Sequence, residues 1–123
     1  MVFLTSARRG QGAYRKNLIH YWKACAVTGV TSQRILLASH IKPWRCSSTE
    51  ERLSTFNGLL LSPNPGKTFD PGYISFDSDG AIRISEQLEQ PDKPGIHSGM
   101  GIHLDRQHQV FLEYHRGRLF RQY

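Results

Sequence analysis

The residue best placed to do chemistry is His40, which follows the apolar run Ile35-Leu36-Leu37-Ala38 through Ser39 and precedes Ile41-Lys42-Pro43. An unperturbed imidazole titrates near pH ~6.5, so a histidine here can take a proton from an attacking water close to neutral pH. Pro43 cannot donate to a strand ladder and pushes the residue before it toward extended backbone, so His40 sits where a strand leaves its sheet. Asn57-Gly58 then leads into a second apolar run, Leu59-Leu60-Leu61, and Ser62-Pro63 pairs a capping residue with a first-turn proline. Two strands and a short helix make a β-β-α unit. Such a unit brings a base and oxygen ligands onto one small surface that a phosphodiester and a metal ion could share. Taken alone the pattern is weak, because a single His after an apolar run is more often a hydrogen-bonded structural residue.

The elements that must position these residues can be read from periodicity. Tyr14, Leu18 and Trp22 recur every four residues with Ile19 beside them, which predicts an amphipathic helix over 13–24 with Arg15, Lys16 and Lys23 outward and His20 on the exposed side. Residues 1–12, which include Ser6-Ala7-Arg8-Arg9-Gly10-Gln11-Gly12, read as a basic flexible lead-in. Cys25-Ala26-Val27, closed by Thr28-Gly29, predicts a strand ahead of the one that carries His40. Residues 46–55 read as a loop with a short helical turn, and Trp44 as packing on the core edge. The helix that begins at Ser62 must be short, since Pro71-Gly72 ends it. Residues 73–85 alternate apolar and polar around Asp79-Gly80, a hairpin signal, and 86–104 resemble a surface loop. From Asp105, available as a cap, a closing helix is expected with Val110, Phe111 and Tyr114 on one face. The fold class is therefore α+β, one domain over 13–123.

The chain has 123 residues, a formal charge of +6 and a sequence pI near 9.7. Lys and Arg occur without any Asp or Glu from Met1 to Thr49, and Arg116, Arg118 and Arg121 repeat that sign near the other end. Two distant basic segments could together follow a phosphate backbone, which makes nucleic acid the leading partner class and solubility the plain alternative. Arg8, Arg9, Arg15, Lys16, Lys42 and Arg45 are the candidate phosphate contacts. Cys25 and Cys46 form neither a C-x-x-C pair nor a disulfide framework, which fits a reduced cytoplasm. The opening Met-Val-Phe-Leu-Thr is too short for a signal-peptide core, and no apolar run approaches membrane-spanning length. His97, His103, His108 and His115 have no mutual ligand spacing.

Several motifs occur in a fixed order: R-R-G-Q-G, C-A-V-T-G, A-S-H-I-K-P-W, N-G-L-L-L-S-P, F-D-x-G and Y-I-S-F, with F-L-E-Y-H-R near the end. In this order they resemble one branch of the HNH (ββα-metal) nucleases over nearly the whole chain. The resemblance implies a ββα-metal core over about 35–70, flanked by an N-terminal helix, an extra hairpin and a C-terminal helix. It implies hydrolysis of DNA, double-stranded by expectation, with one divalent metal, Mg²⁺ or Mn²⁺, and His40 as general base. Asn57 would fix the loop that orients His40, a role compatible with a plain Asn-Gly turn. The sequence departs from the family at Gly66, which stands at the third motif position and offers no side chain; the position before the base is Ser39. Asp70, four residues after Gly66 and so on the same helical face, and Asn64 through its amide oxygen are the metal-ligand candidates, against plain roles as helix-end and first-turn residues. Relatives of this branch occur in restriction, phage-defence and mobile-element proteins. The alternative function is a catalytically decayed HNH domain that binds DNA or a partner without cutting.

Overall fold

The computed structural model describes the backbone of residues 2–122 and the side chains of 10–122. A long helix, α1 (Val2–Trp22), leads to β1 (Leu37–His40), a short helix α2 (Thr49–Leu53), β2 (Gly58–Leu61) and helix α3 (Pro63–Phe69). A hairpin of β3 (Ile74–Phe76) and β4 (Ile82–Ile84) follows, and helix α4 (Gln109–Tyr114) runs into a π-helical turn over His115–Leu119. The architecture is α+β with two antiparallel two-stranded sheets, as the sequence pattern implies.

β1 and β2 pair antiparallel with Leu37 opposite Leu61 and His40 opposite Gly58. All four residues of β2 are buried, because α1 and α3 both pack on it. The approach of α1 is close enough to require glycine at 58: a Cβ there would stand 2.0 Å from the Tyr14 hydroxyl oxygen and 2.9 Å from Leu18 Cδ2. Trp22 completes the clasp by donating its indole N–H to the Gly58 carbonyl at 3.2 Å. Ser48 and Glu51 close a capping box on α2.

Three expectations are corrected. Gly10, Gln11 and Gly12 are part of α1 rather than of an aperiodic lead-in. Cys25-Ala26-Val27 is a turn and not a strand: Gly29, at φ +77°, folds the chain back, and a single ladder-like bond remains from Ala26 N–H to the Leu60 carbonyl. The Cys25 sulfur accepts instead from the backbone N–H groups of Thr28 and Ser62 at 3.3 and 3.2 Å. Val110 is 65% exposed, and the buried face of α4 is formed by Phe111 and Leu112. Asp105 does cap this closing segment, accepting from Gln107 N–H at 2.9 Å. The irregular stretch 86–104 contributes Ile96 and Ile102 to a core otherwise built from α1, Cys25, Leu36, Ile41, β2, Phe69, Ile74, Phe76 and α4. Among the described residues no helix is long and apolar enough to cross a membrane.

Candidate active site around His40

His40 is the last residue of β1 and half-buried. Its ring lies flat against Tyr14, centroids 4.1 Å apart and planes 7° from parallel, with the edge of Trp44 at 5.9 Å. The Nε2 atom is 2.9 Å from the Arg52 carbonyl oxygen. A carbonyl can only accept, so Nε2 carries the proton and Nδ1 keeps the basic lone pair. Burial pushes the His40 pKa below the usual imidazole value; the Arg52 carbonyl and the Asp70 carboxylate oppose that shift without cancelling it. The ring is therefore neutral near pH ~7 and able to accept a proton.

Asn57 is fully buried behind the loop that follows His40. Its Oδ1 accepts from Lys42 N–H at 2.8 Å, and Nδ2 donates to the Glu51 carbonyl at 3.0 Å and to Lys42 O and Ser47 Oγ at 3.4 Å. Its own carbonyl accepts from the Tyr14 hydroxyl at 2.6 Å. The side-chain amide thus ties the start of the segment after β1 to α2, and the backbone carbonyl of the same residue links them to the ring on which His40 stacks. Arg52 adds a further brace, since its Nε donates to the Trp44 carbonyl at 2.9 Å while the guanidinium lies 4.4 Å over the Trp44 ring.

Helix α3 faces β1. A Cβ at the buried Gly66 would meet Leu37 Cδ1 at 2.9 Å. One helical turn later Asp70 caps the helix C-terminus and comes within electrostatic reach of both Ser39 and His40. Its surroundings raise the carboxyl pKa through burial, while the Ser39 hydroxyl, Lys67 and His40 pull it back. Asp70 nevertheless keeps solvent access, so it remains an oxygen ligand that an ion can reach. Ser39 Oγ is buried and lacks a hydrogen-bond partner of good geometry. Among the described residues no group of three His, Cys, Asp or Glu could hold a metal. The reachable Asp70 carboxylate could supply one oxygen to a hydrated Mg²⁺ or Mn²⁺, an ion that keeps several waters and takes substrate phosphate as further ligand.

Asn64 does not join this group. Its Nδ2 donates to the Pro94 carbonyl at 2.9 Å, and it borders a separate 330 Å³ hollow with Thr28 and Met100. Two candidate phosphate contacts are also engaged elsewhere. Arg15 donates to the carbonyls of Leu36 and Gln33 at 2.7 and 2.6 Å, tying α1 to the approach to β1, and Lys42 pairs with Glu51 at 3.0 Å. Lys16 and Arg45 are exposed, and the side chains of Arg8 and Arg9 lie outside the described residues.

Tyr14, Arg52 and His115 carry structural roles at the site that periodicity alone does not assign. The Tyr14 position is legible as apolar, but nothing in its spacing points to His40. His115 stacks on Phe69, centroids 3.9 Å apart and planes 2° from parallel, donates Nε2–H to the Phe69 carbonyl at 3.0 Å and accepts from Ser75 Oγ at 2.8 Å. It therefore fixes the residue immediately before Asp70.

The HNH endonuclease family model matches residues 25–77, the stretch that holds β1, α2, β2, α3 and β3. Over this segment the chain is similar to HNH endonucleases, and the function class that the similarity points to is that of a nuclease acting on nucleic acid. A comparison with curated proteins gives no match.

Proposed function

We propose that the protein is a metal-dependent endonuclease that hydrolyses DNA phosphodiester bonds, double-stranded DNA included, with His40 as general base. The observation that carries this reading is the state of His40. Its Nε2–H is committed to the Arg52 carbonyl, its Nδ1 is left free, and burial suppresses its charge against the opposing pull of the Asp70 carboxylate. Nδ1 would take the proton of the attacking water, and Asn57 would hold the 42–51 segment so that the ring keeps its direction. Asp70, with Ser39 beside it, would hold a divalent ion. When bound, that ion supplies Lewis-acid stabilisation of charge on the phosphate and on the leaving 3′ oxygen. Burial of Asn57 makes its role one of positioning rather than contact with the reacting atoms. Arg45 and Lys16 remain proposed phosphate contacts.

Gly66 favours a second reading, in which the domain binds DNA without cutting it. Plasmid incubated with purified protein and Mg²⁺ or Mn²⁺, beside His40→Ala and Gly66→His, separates the two. Cleavage by wild type that disappears in His40→Ala supports the nuclease. Inert wild type together with a cutting Gly66→His variant establishes the decayed domain.

A further inference from the structure

Beside Asp70 the surface opens into a hollow of about 520 Å³ lined by Arg45, Asp70, Pro71, Gln87, Arg118 and Arg121, among others. Its three arginines come from chain segments more than seventy residues apart, with Arg45 before α2, Arg118 in the π-helical turn and Arg121 just after it. Asp70 is its single acidic lining residue, so the lining carries a net positive charge.

The hollow is held in shape. Gly72 adopts φ +86°, and a Cβ there would stand 2.0 Å from the Leu119 carbonyl oxygen, so the closing segment rests directly on the turn after α3. Arg121 N–H donates to the Gly72 carbonyl and Arg121 Nε to the Pro71 carbonyl, both at 2.9 Å, and its guanidinium lies 4.7 Å over the Tyr73 ring. With Nε committed, the two terminal amino groups of Arg121 remain for a ligand. Arg118 lies 5.8 Å over Tyr114. Arginines braced by stacking present planar donors with less entropy to lose, which suits phosphate oxygens.

We propose that this hollow is a subsite for the backbone phosphates of a nucleic-acid strand running past the His40–Asp70 centre. That the strand is the one to be cut rests on the nuclease reading above. Arg118 and Arg121 lie outside residues 25–77, so the hollow extends the surface beyond the segment that matches the family. One strand would enter over Arg118 and Arg121 and reach Asp70 from that side.

The test measures binding of a fluorescein-labelled 20-bp duplex by anisotropy, in Ca²⁺, over a range of NaCl, with plasmid cleavage in Mg²⁺ run alongside. Arg45→Gln/Arg118→Gln alters two exposed side chains and is compared with Lys93→Gln/Arg106→Gln, which removes the same charge elsewhere. The subsite predicts about tenfold weaker binding for the first pair and a salt dependence of log K shallower by roughly two, with the second pair close to wild type. Adding Arg121→Gln should weaken binding further. If both pairs behave alike while wild type still cuts, the subsite is wrong and the nuclease reading stands. If the first pair alone weakens binding but wild type never cuts, the subsite stands and the nuclease reading falls. Wild type that fails to bind the duplex overturns both.

Discussion

His40 and Tyr14 lie face to face, 4.1 Å between centroids, and the Tyr14 hydroxyl reaches past that stack to the Asn57 carbonyl at 2.6 Å. A single residue of α1 therefore contacts the proposed base and also its positioning residue. Stacking removes one face of the imidazole from water and so contributes to the burial that lowers its pKa. Tyr14→Phe keeps the stack and loses only the hydroxyl bond. It should lower stability by about 1 kcal/mol and leave cleavage close to wild type. Tyr14→Ala loses both and should cost roughly 3–5 kcal/mol, with a clear fall in kcat. Denaturant unfolding and plasmid cleavage on the same preparations test the pair, and a kcat unmoved by Tyr14→Ala would contradict the role of the stack.

Replacing His40 by Gln or Ala should reduce cleavage by about 10²–10⁴-fold while duplex binding persists. Retained cleavage would remove His40 from the chemistry.

The pH profile of kcat/KM should fall on the acid side through an ionisation below the ordinary histidine value, because burial lowers the His40 pKa. The Asp70 carboxylate raises that pKa, so Asp70→Asn should move the His40 NMR titration to still lower pH. The same variant should weaken Mn²⁺ binding, read by calorimetry. An unchanged His40 titration would separate the two residues.

His115 gives a prediction about stability. Burial lowers its pKa to about 4, and with Nδ1 accepting and Nε2 donating it is folded in the neutral form. The unfolded chain binds a proton near pH ~6.5, so between roughly pH 6.5 and 4 it holds more protons than the folded chain. Stability then falls as pH drops through that window, by up to about 3 kcal/mol, and is flat above it. Buried His108, also lowered by desolvation, acts in the same direction. Urea unfolding at several pH values should show this slope, reduced in His115→Gln. A slope that survives the substitution unchanged would place the acid sensitivity elsewhere.

Asn57→Ala should leave the Lys42 N–H and the Glu51 carbonyl without their amide partner, at roughly 1–3 kcal/mol for each group that water cannot reach. Cleavage should fall with kcat rather than KM, since Asn57 is fully buried and meets no substrate. A pure KM effect would contradict the positioning role.

Much of this site is local and therefore legible in sequence. Pro43 ends β1, Ser62-Pro63 starts α3, and Asp79-Gly80 turns the hairpin, each through the chemistry of one or two residues. The helical spacing from Gly66 also places Asp70 on the face turned to β1. What sequence cannot supply are meetings across long chain separations. Asn64 shares α3 with Asp70, but its amide is captured by Pro94, thirty residues on. Even nine residues suffice to hide a pairing, for Lys42 reads as a free cation until α2 brings Glu51 beside it. Cys25-Ala26-Val27 has strand composition, yet the sulfur's bonds and Gly29 turn the chain before a ladder can form. The convergence of Arg45 with Arg118 and Arg121 is of the same long-range kind; the charge bias of the two segments hinted at it, while the turn at Gly72 decided it.

The clasp of α1 over Gly58 has a consequence for anyone wishing to transplant this unit. A fragment trimmed to residues 25–77 would keep His40, Asn57 and Asp70 but lose the ring beneath the imidazole and the bolt that His115 places behind Phe69. The segment is thus not a portable cassette: grafted into another host it would need substitutes for both outer helices before its histidine could point anywhere in particular.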